Sequence, residues 1–415
     1  MINIFFILTF ILFTQSKTLL VFEKTKDQTE YSQFISILKQ QNEEVEIIDK
    51  STEFDLFEYG ERIYDNIILL CPNYKFSNSP SDFHKFIDEG GNIVIGLGKK
   101  YNEKYSDLLY GLDMEVDTNG NNINDNQHTI SIDGKEMIYS SNIHPIQYSY
   151  EKTKKEYHPI LFRGIGLYVP YSPLTFSLVN GEESSFTNSY PESLFVQQKN
   201  LTFVSSLQAR NNARVIVSGS TMMFSDKAFN AEINGKKSGN EMFVKDIINW
   251  VMKREGVVEM RNFNWKKVGG VENVEYDTQL VINDTIEVNV EMVTKIDGEW
   301  KPLNVDDLQI EFKLVDPVIV KYFKRVENGK YSIVFQTPDK FGVYTLLCDY
   351  KRPFVTFVEH KEIVPLRTFR LTQTERFVSG AYPFYAACAS MLIGFVIFCV
   401  IFLSQVDEKK EIKEN

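Results

Sequence analysis

The chain has 415 residues, 43% of them hydrophobic and 13% aromatic, enough apolar material for about two to three globular domains. Its formal net charge is −11 and no Lys/Arg-rich block interrupts the acidic balance, so the electrostatic footprint of a nucleic-acid binder is missing. The cysteines, Cys71, Cys348, Cys388 and Cys399, are too few and too scattered for a disulfide framework or a zinc-ligand spacing.

Residues 1–16, MINIFFILTFILFTQS, hold an apolar run followed by small and polar residues and are expected to be a cleaved secretory signal. The n-region carries no Lys or Arg, which leaves an uncleaved anchor or a buried first strand as the competing readings. From Thr18 to about Gly98, continuous apolar strands (TLLVFE, EVEII, NIILLC, NIVIGLG) alternate with helical stretches at Glu30–Gln41 and SPSDFHKFIDEG. That pattern predicts a doubly wound α/β domain with a parallel sheet covered on both faces.

The Asn-rich stretch DTNGNNINDNQ reads as a surface loop. LTFVSSL and ARVIVSGS are apolar enough for interior strands, and GNEMFVKDIINWVMKREG has helical spacing, so residues 17–256 are expected to form one α/β domain with a β-rich extension. Beyond Gly256 the period becomes two, as in TIEVNVEMV, LQIEFKLVD, YSIVFQ and VYTLLCDY. With turn signals at Asp297-Gly298, Asn328-Gly329 and Pro338-Asp339, this predicts a membrane-proximal β-sandwich and stalk over 257–381.

Tyr382–Leu403 contains no charged side chain. As a helix it would be about 33 Å long, enough for a hydrocarbon layer of about 30 Å. A transmembrane helix over 382–403 leaves 404–415 as a short tail. With a cleaved signal ahead of it the expected topology is type I, and lipid is an expected partner. Arg367, Arg370 and Arg376 stand on the side that this topology makes lumenal, so the positive-inside rule lends little support. Ala386, Ser390 and Gly394 recur every four residues and put a smooth stripe on one helix face, where a partner backbone could approach.

A search for chemistry finds little. Gly90-Gly91 with Gly96 and Gly98 is not a G-x-G-x-x-G motif, and the pair precedes its strand, where a helix cap explains it better. Cys71 ends a strand, but Leu70 and Pro72 flank it where a nucleophile elbow requires glycines. His84, His128, His144, His158 and His360 form no metal or triad pattern. The loop from Asp117 lacks the glycine and the bidentate carboxylate of a calcium loop, and Asp306-Asp307 reads as a turn. No catalytic, cofactor-binding or metal residue is assigned. Asn200-Leu201-Thr202 and Asn283-Asp284-Thr285 are N-glycosylation sequons, making Asn200 and Asn283 candidate acceptors.

At residues 206–226, SLQARNNARVIVSGSTMMFSD, and 373–394, QTERFVSGAYPFYAACASMLIG, the chain resembles the 48 kDa subunit family of the oligosaccharyltransferase complex. SPLTFSLVNGEESSF, DDLQIEFKLVDP and YDNIILLCPNY extend the likeness in family order. The resemblance implies an amidotransferase-like lumenal domain without its catalytic residues and a non-catalytic, accessory role in an endoplasmic-reticulum complex that transfers a dolichol-linked oligosaccharide to Asn side chains. It also implies a multispanning catalytic subunit that carries the divalent metal, with ribophorin-like and small defender-against-death-type subunits as further partners. In the tail, Ile412 rather than a second lysine stands immediately before Lys413, so retention through the complex is expected. A lumenal hydrolase and a free-standing glycan receptor are the alternatives. The first requires a nucleophile and a base, the second a chain that is stable alone.

Overall fold

The computed structural model describes residues 16–40, 44–74, 78–117, 121–132, 134–151, 155–187, 200–268, 280–296, 298–371, 376 and 378–405. Residues 1–15 of the expected signal, 118–120 of the Asn-rich loop, Asp297 and the tail from residue 406 lie outside them. In chain order the first half contains β1 (Lys17–Phe22), α1 (Ser32–Lys39), β2 (Glu44–Asp49), β3 (Asn66–Leu70), α2 (Pro80–Asp88), β4 (Asn92–Gly96), α3 (Glu103–Tyr110) and β5 (Glu115–Val116). It continues with β6 (Ile123–Asp125), β7 (Leu167–Tyr168), β8 (Thr175–Asn180), β9 (Ser185–Thr187), β10 (Thr202–Gln208), β11 (Arg214–Ser218) and α4 (Asn240–Val251).

Nine strands form one sheet in the order β2-β1-β3-β4-β11-β10-β7-β5, with β8 also paired to β10. Its strand residues alternate between two cores because successive side chains leave opposite faces. Leu20, Phe22, Ile68, Leu70, Val94 and Ile216 pack with Phe34 and Leu38 of α1 and with Val244, Ile247 and Ile248 of α4. Leu19, Val21, Ile67, Leu69, Ile93, Ile95, Val215 and Val217 pack with Phe83 and Phe86 of α2 and Leu108 and Leu109 of α3. Helices therefore cover both faces, which is why β3 and β4 can be apolar at nearly every position.

The strands read between Thr18 and Gly98 are parallel as expected, and the sheet continues beyond them in antiparallel strands. β2, β1, β3, β4 and β11 are parallel, but β10 runs antiparallel to β11, β7 and β8 antiparallel to β10, and β5 antiparallel to β7. The physical reason is chain length. Only five residues, Ala209 to Ala213, join β10 to β11, and a parallel pair would need a crossover of a dozen or more.

The second half comprises β12 (Val257–Lys267), β13 (Leu280–Val281), β14 (Thr285–Ile296), β15 (Glu299–Pro302), β16 (Gln309–Lys313), β17 (Pro317–Tyr322), β18 (Lys324–Glu327), β19 (Lys330–Gln336), β20 (Gly342–Tyr350) and β21 (Val358–Arg367). They make two five-stranded sheets, β12-β14-β19-β18 with β15 on β14, and β13-β21-β20-β16-β17. The inward residues of both sheets, among them Ile286, Val288, Phe335, Phe312, Tyr344 and Leu346, belong to one core. Phe312 meets Phe335 across the gap with ring centroids 5.8 Å apart. A single helix, α5 (Tyr382–Ser404), follows, and none of its residues is buried against the rest of the chain.

Candidate functional site

The groups that could carry chemistry are engaged structurally. Cys71 is buried, and desolvation pushes its thiol up to about 12, so the thiolate that a nucleophile requires is suppressed. Gly90, at φ +92, ends α2: its N–H donates to the Ile87 carbonyl and that of Gly91 to the Phe86 carbonyl, both at 2.9 Å. This is a glycine helix cap.

One carboxylate–imidazole–hydroxyl cluster does form. His128 Nδ1 lies 3.2 Å from Asp125 Oδ2 and 3.1 Å from Ser184 Oγ, and Ser184 donates to Asp125 Oδ1 at 2.7 Å. A relay needs the hydroxyl on one ring nitrogen and the carboxylate on the other; here both meet Nδ1 and the serine proton is committed to the acid. Burial raises the Asp125 carboxyl, but hydrogen bonds from Ser184, Ser185 and the backbone of Gln127 and His128 outweigh it and hold the group below its usual range. The cluster ties β6 to the start of β9. Among the described residues no group of three or more His, Cys, Asp or Glu side chains is arranged to hold a metal ion.

A dense polar constellation lies instead where the nine-stranded sheet meets the paired sheets. Arg214, at the start of β11, is fully buried. Its Nη1 donates to the carbonyls of Trp250 and, at 2.9 Å, Glu255, and its Nη2 to that of Gly256 at 2.7 Å. The guanidinium lies 5.0 Å from the Trp250 ring centroid, a cation–π contact that offsets part of the lost hydration. Burial draws its pKa down to about 10, so it stays charged at neutral pH.

The loop between β20 and β21 completes the joint. Gln208 Nε2 donates to the Val355 carbonyl at 2.6 Å and Trp250 Nε1 to that of Phe354 at 2.9 Å. Asn212 pairs with Phe357 as another strand would, its amide donating to the carbonyl at 3.0 Å and accepting the N–H at 2.6 Å. The Thr356 N–H donates to the Gly256 carbonyl at 2.9 Å. The Thr356 hydroxyl accepts from the Val258 N–H at 2.7 Å and donates to the Val258 carbonyl at 2.9 Å. Asn211 adds hydrogen bonds to the carbonyls of Ile87 and Asp88, both 2.7 Å. One turn and its flanks, Gln208 to Arg214, thus fasten the end of α2, the end of α4, the start of β12 and the β20–β21 loop.

The chain matches the family model described as OST48, N-terminal domain, over residues 10–254, and that described as OST48 middle domain over residues 266–406. The chain belongs to the OST48 family. Among curated proteins, the dolichyl-diphosphooligosaccharide–protein glycosyltransferase 48 kDa subunit of Caenorhabditis elegans is 29% identical over 404 residues, covering 91% of this chain and 88% of that protein. The protein of the same name from Danio rerio is 30% identical over 382 residues, covering 86% and 84%. A solved ThuA-like protein from Bacteroides uniformis is 15% identical and covers 58% of this chain and 92% of its own, with a TM-score of 0.35, too low to bear on the fold. The interval between the two OST48 matches, residues 255–265, opens with Glu255 and Gly256, whose carbonyls Arg214 holds.

The other candidate residues are separate from the joint. Asn200 is exposed, but Thr202 of its sequon is buried in β10, within 2.9 Å of Ser177 Oγ. Asn283 and Thr285 are both exposed on the turn between β13 and β14, Asn283 at φ +64. Ala386, Ser390 and Gly394 lie along α5; the Ser390 hydroxyl donates to the Ala387 carbonyl at 2.8 Å. The reading of the sequence alone did not single out Gln208, Asn212 or Arg214. Their signal was amides and a cation placed within and between two strands that are otherwise interior.

Proposed function

We propose that this chain is a non-catalytic subunit of an oligosaccharyltransferase, which moves a lipid-linked oligosaccharide to Asn in protein N-glycosylation. In this reading α5 spans the endoplasmic-reticulum membrane, the α/β and β-rich parts lie in the lumen, and other subunits supply the active site and its divalent metal. The observation that carries it is the joint. A family member whose polar side chains are spent on locking its own parts together is suited to present fixed surfaces to neighbours. The engagement of Cys71 and of Asp125, His128 and Ser184 in structural contacts supports the same reading over a hydrolase. Asn200 is a glycan acceptor only if its sequon is recognised before Thr202 is buried in β10, and Asn283, on an exposed turn, is proposed to be recognised during synthesis as well. The smooth face of Ala386, Ser390 and Gly394 is proposed to pack on a partner helix.

The test is purification of the tagged full chain in mild detergent, with mass spectrometry of co-eluting proteins and an assay of oligosaccharide transfer to an acceptor peptide. Co-elution with a multispanning subunit, together with transfer activity, is expected. A monodisperse lone chain without activity would overturn the reading.

A further inference from the structure

We infer that the end of the paired sheets from which the chain departs toward α5 rests on the bilayer surface, so that the protein holds the membrane at a lipid-facing rim as well as through its helix. This inference rests on α5 spanning the bilayer; it does not depend on which complex the chain joins.

The rim follows from strand register. β20 begins and β21 ends together, with Gly342 opposite Leu366. The β16–β17 hairpin turns at the same end, where Lys313 faces both Thr345 and Pro317. A side-chain carbon placed on Gly342 would meet Leu314 Cδ1 at 3.0 Å, which puts the hairpin tip beside the start of β20. Apolar side chains point outward here. Val315 at the tip is 87% exposed, Phe341 64%, Val343 60% and Ile363 68%. Val343 lies opposite Pro365 and Ile363 opposite Thr345, so Val343 and Ile363 share the outer face while Tyr344, Leu346, Val364 and Leu366 fill the core. An exposed patch of this kind on a folded chain marks a surface that is covered in use.

Two observations select lipid as the cover. The first is reach: from Arg367, the last residue of β21, to Ser379, where the apolar helical segment starts, the chain has 12 residues and spans at most about 40 Å. Of the two ends of the paired sheets, this is the one tethered to the membrane. The second is the mixture of side chains: Lys313, Lys340 and Arg367 stand in sequence or register beside Val315, Phe341, Val343 and Ile363, which suits the polar boundary of a bilayer, where basic side chains reach the headgroups and aromatic and aliphatic ones enter the acyl region. The same contact gives a role to the arginines that run against the positive-inside rule.

The test uses the full chain in nanodiscs of phosphatidylcholine and phosphatidylserine with brominated acyl chains, carrying Phe341→Trp or Val315→Trp. Val326→Trp is the control, 67% exposed on β18 at the opposite end of the paired sheets. Read as the difference from the parent chain, which already holds Trp250, Trp265 and Trp300, the emission added at positions 341 and 315 is expected to be blue-shifted and mostly quenched, and that added at 326 neither. Emission and quenching at 341 and 315 that match position 326 would overturn the inference while leaving the anchoring intact. A chain that fails to enter the discs would overturn both. Protection of these positions only after other proteins are added, without quenching by lipid, would assign the face to a protein partner and also overturn it.

Discussion

Arg214 is a buried cation with no carboxylate in ion-pair contact among the described residues; backbone carbonyls of Trp250, Glu255 and Gly256 compensate it. Those carbonyls belong to the end of α4 and the start of β12, so the residue's worth lies in what it leaves unpaired when removed. Arg214→Ala should destabilise the chain by about 3 kcal/mol or more, from orphaned buried acceptors and a cavity together. Arg214→Lys should recover only part, because an ammonium cannot fork to acceptors on two sides as a guanidinium does. Denaturant midpoints of the three proteins, with limited proteolysis across residues 255–265, check both statements. Equal stability of all three would show that the joint is held by Gln208 and Asn212 instead.

At the scale of elements, the connection from α4 into β12 is set by Gly256, which has φ +66 and whose missing Cβ would lie 2.5 Å from the Phe354 carbonyl oxygen and 2.6 Å from the Tyr148 ring. Gly256→Ala therefore costs about 1–3 kcal/mol in backbone strain alone and must also push the β20–β21 loop away. Thermal unfolding followed at Trp250, whose Nε1 is bound to Phe354, should register that displacement before the sheets melt. The elements themselves were largely legible in the sequence. Continuous apolar runs marked β1, β3 and β4, helical spacing marked α1, α2 and α4, and two-residue alternation marked β14, β16, β19 and β20, each because one period of burial dominated the segment. β12 escaped because a bulge between Arg261 and Asn264, with Asn262 at φ +49, breaks its alternation. β10 and β11 were legible as interior strands but not in their direction, although the five-residue connection that makes the pair antiparallel was there to be counted. The joint was not legible as a site. Gln208 and Val355 are 147 residues apart, and backbone carbonyls, its main acceptors, carry no residue-type signature. The only sign of it was the idiosyncratic stretch that resembled a family.

For the whole molecule, the joint and α5 make separable contributions. The joint couples the nine-stranded sheet to the paired sheets, while no described residue of α5 is buried against either, which leaves its faces open to other helices. The Ser390 hydroxyl is already satisfied inside the helix by Ala387, and apart from its chain neighbours and the helix's own backbone no described atom lies within 4 Å of where a Gly394 side chain would begin. The stripe is therefore smooth and asks no polar partner to meet it, a geometry that lets two helices approach closely through van der Waals contact. Gly394→Ile and Ser390→Ile should lower recovery of co-purifying subunits in mild detergent while leaving the unfolding of the α/β and β-rich parts unchanged. Arg214→Ala should instead lower both, since misaligned surfaces of the α/β and β-rich parts fail along with the fold. If the α5 substitutions leave recovery intact and only the Arg214 variant loses partners, the contacts that matter for assembly lie on the rigid body outside the membrane, and α5 serves as a tether.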